Sequence, residues 1–309
     1  MKKKQQWLIL LPLALCALLC GAYMFMFVMS DDLEPPVISM DQKELEVSVN
    51  AMKQQLLSDV KAWDEVDGNV SEQVVIESIS ALREDHTAEI VYAAFDQSGN
   101  VSKASRTIRY TDYQSPRFEI KKPLIFTTSS TMDVISCMSA SDVLDGDISR
   151  KIKGTLISDT NSLSYAGVHE VQFRVTNSMG DTVYLKLPVD VFEPNTYNAT
   201  LELNDYLVYL PLGSEFDSEV YLSTLKIGAS ELALDGSDSK VRLYINHYVD
   251  PSYYIGSGAE IVNAEVQSDV NTSVPGVYSV LYSVTLKRGS QEYTGFSRLN
   301  VVVEESDHE

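Results

Sequence analysis

The chain has 309 residues, 44% of them hydrophobic, which is enough for two or three domains with packed cores and too apolar for general disorder. Its formal net charge of -20 repels phosphate backbones and anionic headgroups, which argues against nucleic-acid binding and against docking on an acidic lipid surface. Only Cys137 of the three cysteines lies in the body of the chain, which excludes an intrachain disulfide framework and a cysteine zinc site there.

The N-terminus reads as a membrane anchor. Lys2, Lys3 and Lys4 form a short stub, residues 1–6. An uncharged run of 23 residues follows, from Trp7 to Met29. At about 1.5 Å per residue it spans a hydrocarbon core of about 30 Å. It exceeds the usual h-region of a secretory signal, about 7–15 residues. The positive-inside rule puts the lysines in the cytoplasm and everything after about residue 31 outside the cell. Two readings compete with a retained transmembrane signal-anchor helix over 7–29. Cleavage after Ala22 conflicts with the apolar "YMFMFVM" that continues the run. Lipidation of Cys20 conflicts with the bulky Leu19 before it.

The body alternates at period two: "LEVSV", "AEIVYAAF", "HEVQFRV", "VYLKLPVDV", "VYSVLYSVTL" and "RLNVVV". Turn residues separate these strands, among them Asp67-Gly68, Asp145-Gly146, Ser98-Gly99-Asn100 and Pro275-Gly276. Helix is expected only over 50–60 and for a turn or two over 218–225. "VISCMSA" alternates like a strand, which makes Cys137 a small buried residue.

An internal repeat organises the strands. "AWDEVDGNVS" (62–71) lies on "ASDVLDGDIS" (140–149) with the skeleton Ala-x-Asp-x-x-Asp-Gly-[Asn/Asp]-[Val/Ile]-Ser. "EIVYAAFDQSGN" (89–100) lies on "EVQFRVTNSMGD" (170–181). "AGVHEVQFRVT" (166–176) lies on "PGVYSVLYSVT" (275–285). Three units follow: residues 30–112, 113–194 and a longer, diverged unit over 195–305, with a polar tail at 306–309. Short polar linkers between them predict a semi-rigid array.

These motifs resemble bacterial immunoglobulin-like surface domains, the tandem β-sandwich modules common on Gram-positive exported proteins. The first two units carry the resemblance well. The third keeps only the Pro-Gly-Val-Tyr strand, and its "ALDGSDS" (233–239) lacks the Ala-x-Asp. The resemblance implies an all-β fold of tandem immunoglobulin-like sandwiches behind one transmembrane helix, used for display, spacing or adhesion.

Each candidate for chemistry has a structural counterpart. Asp142, Asp145 and Asp147, with Asp64, Asp67 and Asn69 in the first unit, offer oxygens that a calcium ion could take. Their spacing is not that of an EF-hand. Asp112, near the first junction, could join them. The alternative is that Asp-Gly forms the turn and the acids bond local amides. A carboxylate pair for glycoside hydrolysis would need an aromatic-lined cleft, and a catalytic pair is seldom duplicated in two units. His86, His169, His247 and His308 form no metal or nucleophile motif. Tyr244, Tyr248, Tyr253 and Tyr254, in "LYINHYVDPSYYIGSG", suit a contact surface for a protein or a glycan, or else pack inside the enlarged third unit. The sequence therefore points to a non-enzymatic, single-pass surface protein without a required cofactor, calcium remaining open. The alternatives are a structural subunit of a larger cell-envelope assembly and, remotely, a cell-wall-active enzyme.

Overall fold

The computed structural model describes residues 15–24, 32–157, 163–194, 198–227, 230–233, 254–255 and 259–305, with the backbone course alone at 227, 230–233, 254–255 and 259. The chain divides into two compact units, residues 1–113 and 114–309.

Among the described residues of unit 1, the strands are β1 (Val37–Ser39), β2 (Glu44–Val47), β3 (Lys61–Asp64), β4 (Gly68–Asn69), β5 (Val75–Ile79), β6 (Thr87–Phe95) and β7 (Val101–Tyr110). They form a small sheet ordered β1-β3-β4 and a larger one ordered β2-β7-β6-β5. The chain changes sheet between β1 and β2, and β2 then runs parallel to the last strand, β7. The alternation read from "AEIVYAAF" is realised on β6: Ala88, Ile90, Tyr92 and Ala94 point into the core while Glu89 and Val91 are half-buried. The helix expected over 50–60 is a single turn, Lys53–Leu56. Asp59 takes positive φ just beyond it, which ends the helical path.

Unit 2 repeats this plan twice. Its first sandwich uses β8 (Arg117–Ile120), β9 (Ile125–Thr127), β10 (Met138–Asp142), β11 (Gly146–Asp147), β12 (Lys153–Leu156), β13 (Gly167–Thr176) and β14 (Thr182–Phe192). The sheets are β11-β10-β8 and β12-β13-β14-β9, with β9 parallel to β14. Its second sandwich uses β15 (Thr200–Leu203), β16 (Leu207–Pro211), β17 (Leu222–Ile227), β18 (Ser230–Ala233), β19 (Tyr254–Ile255), β20 (Ala259–Ser268), β21 (Gly276–Arg288) and β22 (Gln291–Glu304). Here the sheets are β15-β17-β18 and β16-β22-β21-β20-β19, with β16 parallel to β22. Two packed sheets with a first strand that switches from one to the other make all three bodies immunoglobulin-like sandwiches.

Three fully buried aromatics, Tyr92, Phe173 and Tyr282, occupy the same position of the penultimate long strand in the three sandwiches. Burying a tyrosine requires a partner for its hydroxyl, and both tyrosines donate to carbonyls, Leu56 and Ser218. The sandwiches of unit 2 share one hydrophobic core, from Phe118 and Phe173 to Tyr282 and Val303. Where they meet, Arg298 of β22 grips buried Asp190 of β14 through two bonds of 2.7 Å. Phe192 and Phe296 stack edge to face, and Arg117 lies over the Tyr209 ring while pairing with Glu304. The Tyr209 hydroxyl accepts the Phe118 amide, and burial pushes its pKa up to about 12.

Local differences from the sequence expectation have simple causes. Cys137 is buried but ends a single 3-10 turn, Ile135–Cys137, before β10 begins. Residues 218–221 likewise form one 3-10 turn, and β17 starts at Leu222 because Leu222 and Leu225 belong to the core. In the third sandwich the hairpin equivalent to the Asp-Gly turn joins β17 to β18 with Ile227 facing Ser230. "ALDGSDS" therefore follows this hairpin in sequence, and residues 234–239 lie outside the described residues.

Candidate functional site

The repeated skeleton is a hydrogen-bonded corner, and every defining residue has a task. Asp64 Oδ1 accepts the amides of Val66 and Asp67 at 2.8 and 2.9 Å. Asp142 Oδ1 does the same for Leu144 and Asp145 at 2.9 and 3.0 Å. Each is an Asx turn. Gly68 and Gly146 follow at φ +75 and +69, a region that disfavours side chains. Asn69 and Asp147 accept the amide and hydroxyl of Ser71 and Ser149. Those serine hydroxyls in turn accept the amides of Ala62 and Ala140, whose small side chains are buried.

The second acid of each skeleton reaches across to another motif. Asp67 Oδ2 accepts the amide of Gln97 at 2.7 Å, and Asp145 accepts the amide and hydroxyl of Ser178. Asp145 also pairs with Lys151 at 2.8 Å. Lys151 and Ser178 together hold its carboxyl below the usual carboxylate range. Ser149 does the same for Asp147. The carboxyls proposed for calcium in "ASDVLDGDIS" are thus employed in the corner. Asp112 turns to Ser48 Oγ and the Val49 amide.

One of the six candidates has a second neighbourhood. Asp64, 3% exposed at the end of β3, lies beside Asp96, 6% exposed just after β6, and beside Asp32. One oxygen from each falls within 4.8 Å of the others. Asn100 ties the group together: its amide nitrogen donates to Asp96 Oδ2 at 2.7 Å and to the Asp32 carbonyl at 2.9 Å. Burial pushes the Asp96 carboxyl up, but the Asn100 side chain and the amides of residues 98–100 outweigh it, and the net direction is down. Two like charges at this spacing repel by about 3 kcal/mol or more at an effective dielectric near 20. Among the described residues no lysine or arginine pairs with any of the three.

Unit 2 solves the same spot differently. Asn177 stands where unit 1 has Asp96, and its Nδ2 donates to Asp142 Oδ2 at 3.1 Å. The pair is an amide on a carboxylate instead of two carboxylates. In the sequence the two residues hold equivalent places, each three residues before the glycine of its turn.

A further departure in unit 1 is Arg106. By register it pairs with Ile90, as Leu187 pairs with Val171 and Leu299 with Val280. An arginine thus replaces a core leucine, with a side chain 0% exposed. It is satisfied by Asp59 at 2.7 Å, the Tyr92 hydroxyl at 2.9 Å and the carbonyls of Leu56 and Ser58 at 3.0 and 3.1 Å.

The remaining sequence candidates fall as follows. His169 is buried with its Nε2 2.8 Å from the Tyr165 carbonyl, a packed position. Burial raises the Cys137 thiol pKa, which disfavours a reactive thiolate. Tyr244, Tyr248 and Tyr253 lie outside the described residues; Tyr254 begins β19.

No family model matches the chain, and no curated protein matches it. Several solved structures are similar. One contains the CBM51-2 domain, in complex with GlcNAc, and INT domains of Clostridium perfringens ZmpB, at 18% identity over 55% of this chain and 32% of that one, TM-score 0.21. Another is Drosophila N-cadherin EC1-4, at 13% identity over 89% and 76%, TM-score 0.21. A third is the protocadherin GammaB4 extracellular domain, at 11% identity over 87% and 49%, TM-score 0.18. The chain spans about a third of the ZmpB structure and about half of the protocadherin one. Superpositions this loose carry no functional argument, and the sandwich assignment rests on the sheet order and the parallel closing strands.

Proposed function

We propose that this chain is a single-pass surface protein whose tandem sandwiches act as a spacer and a binding or adhesion module outside the cell, without catalysis of their own. The observation that carries the anchor is the helix at 15–24. It is uncharged throughout and exposes Leu15, Leu18, Leu19, Tyr23 and Met24 around its circumference. Such a helix is unfavourable in water and suited to lipid. Among the described residues no helix is long and apolar enough to cross a membrane. The anchor reading therefore takes its length from the sequence run 7–29. The spacer role draws on unit 2, where a shared core and a buried ion pair join two sandwiches into one body. The tyrosine-rich segment 244–254 is the contact surface this reading favours, on composition alone.

The test is external proteolysis of intact cells that express a C-terminally tagged chain. The tag should be removed while an N-terminal fragment stays with the membrane fraction. A fully protected tag, or a chain recovered in the soluble fraction of lysed cells, would refute the proposal.

A further inference from the structure

We propose that Asp32, Asp64 and Asp96 form a calcium site that closes the N-terminal edge of the first sandwich. Three carboxylates converge within 4.8 Å, two of them more than nine-tenths buried. Convergence alone would not define a site, since exposed acids gather without ions. A second observation does. Asp32 Oδ2 is shut off from solvent and accepts no hydrogen bond among the described residues. Its other oxygen, Oδ1, accepts the Glu34 amide at 3.1 Å, and Asp64 Oδ1 accepts the amides of Val66 and Asp67, so the Asp32 Oδ2 atom is the orphan of the cluster among the described residues. Buried carboxylate oxygens are normally satisfied, and an orphaned one inside a cluster of like charge points to a missing cation.

The choice of ion follows from ligand and spacing. Carboxylate oxygens suit hard cations. Calcium binds oxygens at about 2.3–2.6 Å and bridges pairs up to about 5 Å apart, while magnesium, at about 2.0–2.1 Å, needs a tighter octahedron. The carboxylates supply three or more of calcium's oxygens and water the rest. The net charge of -20 raises the local concentration of such a cation.

The second sandwich is the internal control. Asn177 replaces the equivalent of Asp96 and hydrogen-bonds Asp142 directly. Asp112 precedes Pro116 as Asp32 precedes Pro36, yet its carboxyl is bound to Ser48 and Val49. No carboxylate trio forms there among the described residues. The site in unit 1 joins three separated stretches. These are the segment that leads into β1, the end of β3 in the small sheet and the end of β6 in the large sheet. An ion there clamps the entry of the chain to both layers.

The experiment is calorimetric unfolding of the full chain in mild detergent, first with chelator and then with calcium added. The transition of unit 1 should rise by about 5–10 °C at a tenfold excess over Kd, and that of unit 2 should stay put. Asp96→Asn installs the residue that unit 2 already uses. It should raise the melting temperature in chelator and abolish the calcium response. Asp32→Asn, in a segment outside the core, should abolish the response and, because it also removes one of the three like charges, should not lower the melting temperature in chelator; it serves if Asp96→Asn folds poorly. Asp147→Asn in unit 2 should leave the response intact. Equal melting temperatures with calcium and chelator, or a full response in Asp32→Asn, would overturn the site. An equal rise with magnesium would overturn its assignment to calcium.

Discussion

Replacing Arg106 tests the interior of unit 1 most directly. The side chain is fully buried and places its guanidinium between Asp59, the Tyr92 hydroxyl and two carbonyls. In Arg106→Ala the Tyr92 hydroxyl keeps the Leu56 carbonyl at 2.7 Å, so that pair survives. The Ser58 carbonyl loses the guanidinium bond, and Asp59 loses its ion pair. Truncating this fully buried side chain leaves a cavity and unmet acceptors, which together cost about 3–5 kcal/mol. For a body of this size each kcal/mol moves the midpoint by about 4–8 °C, so the transition of unit 1 should fall by at least about 12 °C. Arg106→Leu installs the side chain that the other two sandwiches carry at this register, Leu187 and Leu299. It restores apolar volume, and Asp59 can be rehydrated because it is only partly buried. Its loss should be less than half that of the alanine variant. Differential scanning calorimetry of both variants at neutral pH separates the cases. A change below about 1 kcal/mol in Arg106→Ala, or a leucine variant as unstable as the alanine one, would refute the view that the guanidinium is an integral, satisfied part of this core.

Two further outcomes are expected in unit 2. Arg298→Met strands Asp190, which is 2% exposed, and should lower the transition of unit 2 by about 3–5 kcal/mol while unit 1 is unchanged; adding Asp190→Leu should recover much of the loss in a double-mutant cycle. Asp145 is held below the ordinary carboxylate value by Lys151 and Ser178, so its contribution is fully present above pH about 4 and is lost as pH falls through the depressed folded value. Asp145→Asn should therefore melt below wild type at pH 7, and the gap should narrow progressively as the pH is lowered past about 4.

What the sequence made legible and what it hid differ in range. The skeleton around Asp64 and Asp142 was readable because its bonds run two to nine residues along the chain, and a repeated local pattern marks a repeated local structure. The strands of the large sheets were readable from alternation, since one face is buried and the other wet. The bonds of Asp67 to Gln97 and Asp145 to Ser178 were not, because only sheet pairing brings those loops together. The trio of Asp32, Asp64 and Asp96 was hidden for the same reason. Arg106 did leave a signal: along β7 the inward series is Ser102, Ala104, Arg106 and Ile108. A charge in that series resembles an edge-strand residue until its four acceptors are assembled around it. The third sandwich was hardest, since the sequence that joins β17 to β18 lacks the Ala-x-Asp-x-x-Asp-Gly skeleton of the other two.

The differences between equivalent positions fall in a pattern. Where unit 2 has Leu187 and Leu299, unit 1 has Arg106; where unit 2 has Asn177, unit 1 has Asp96. Each exchange puts formal charge into the interior of unit 1 and leaves unit 2 with neutral groups at the same places. Buried charge makes stability depend on counter-charge, and here the counter-charges are of two kinds. Arg106 is matched internally by Asp59, so its contribution is fixed by the fold. The carboxylate trio has no internal match, so its contribution depends on what the medium supplies. Chelation and added calcium should therefore move one transition of the chain and leave the other in place, whereas a generic salt effect on a chain of net charge -20 would move both.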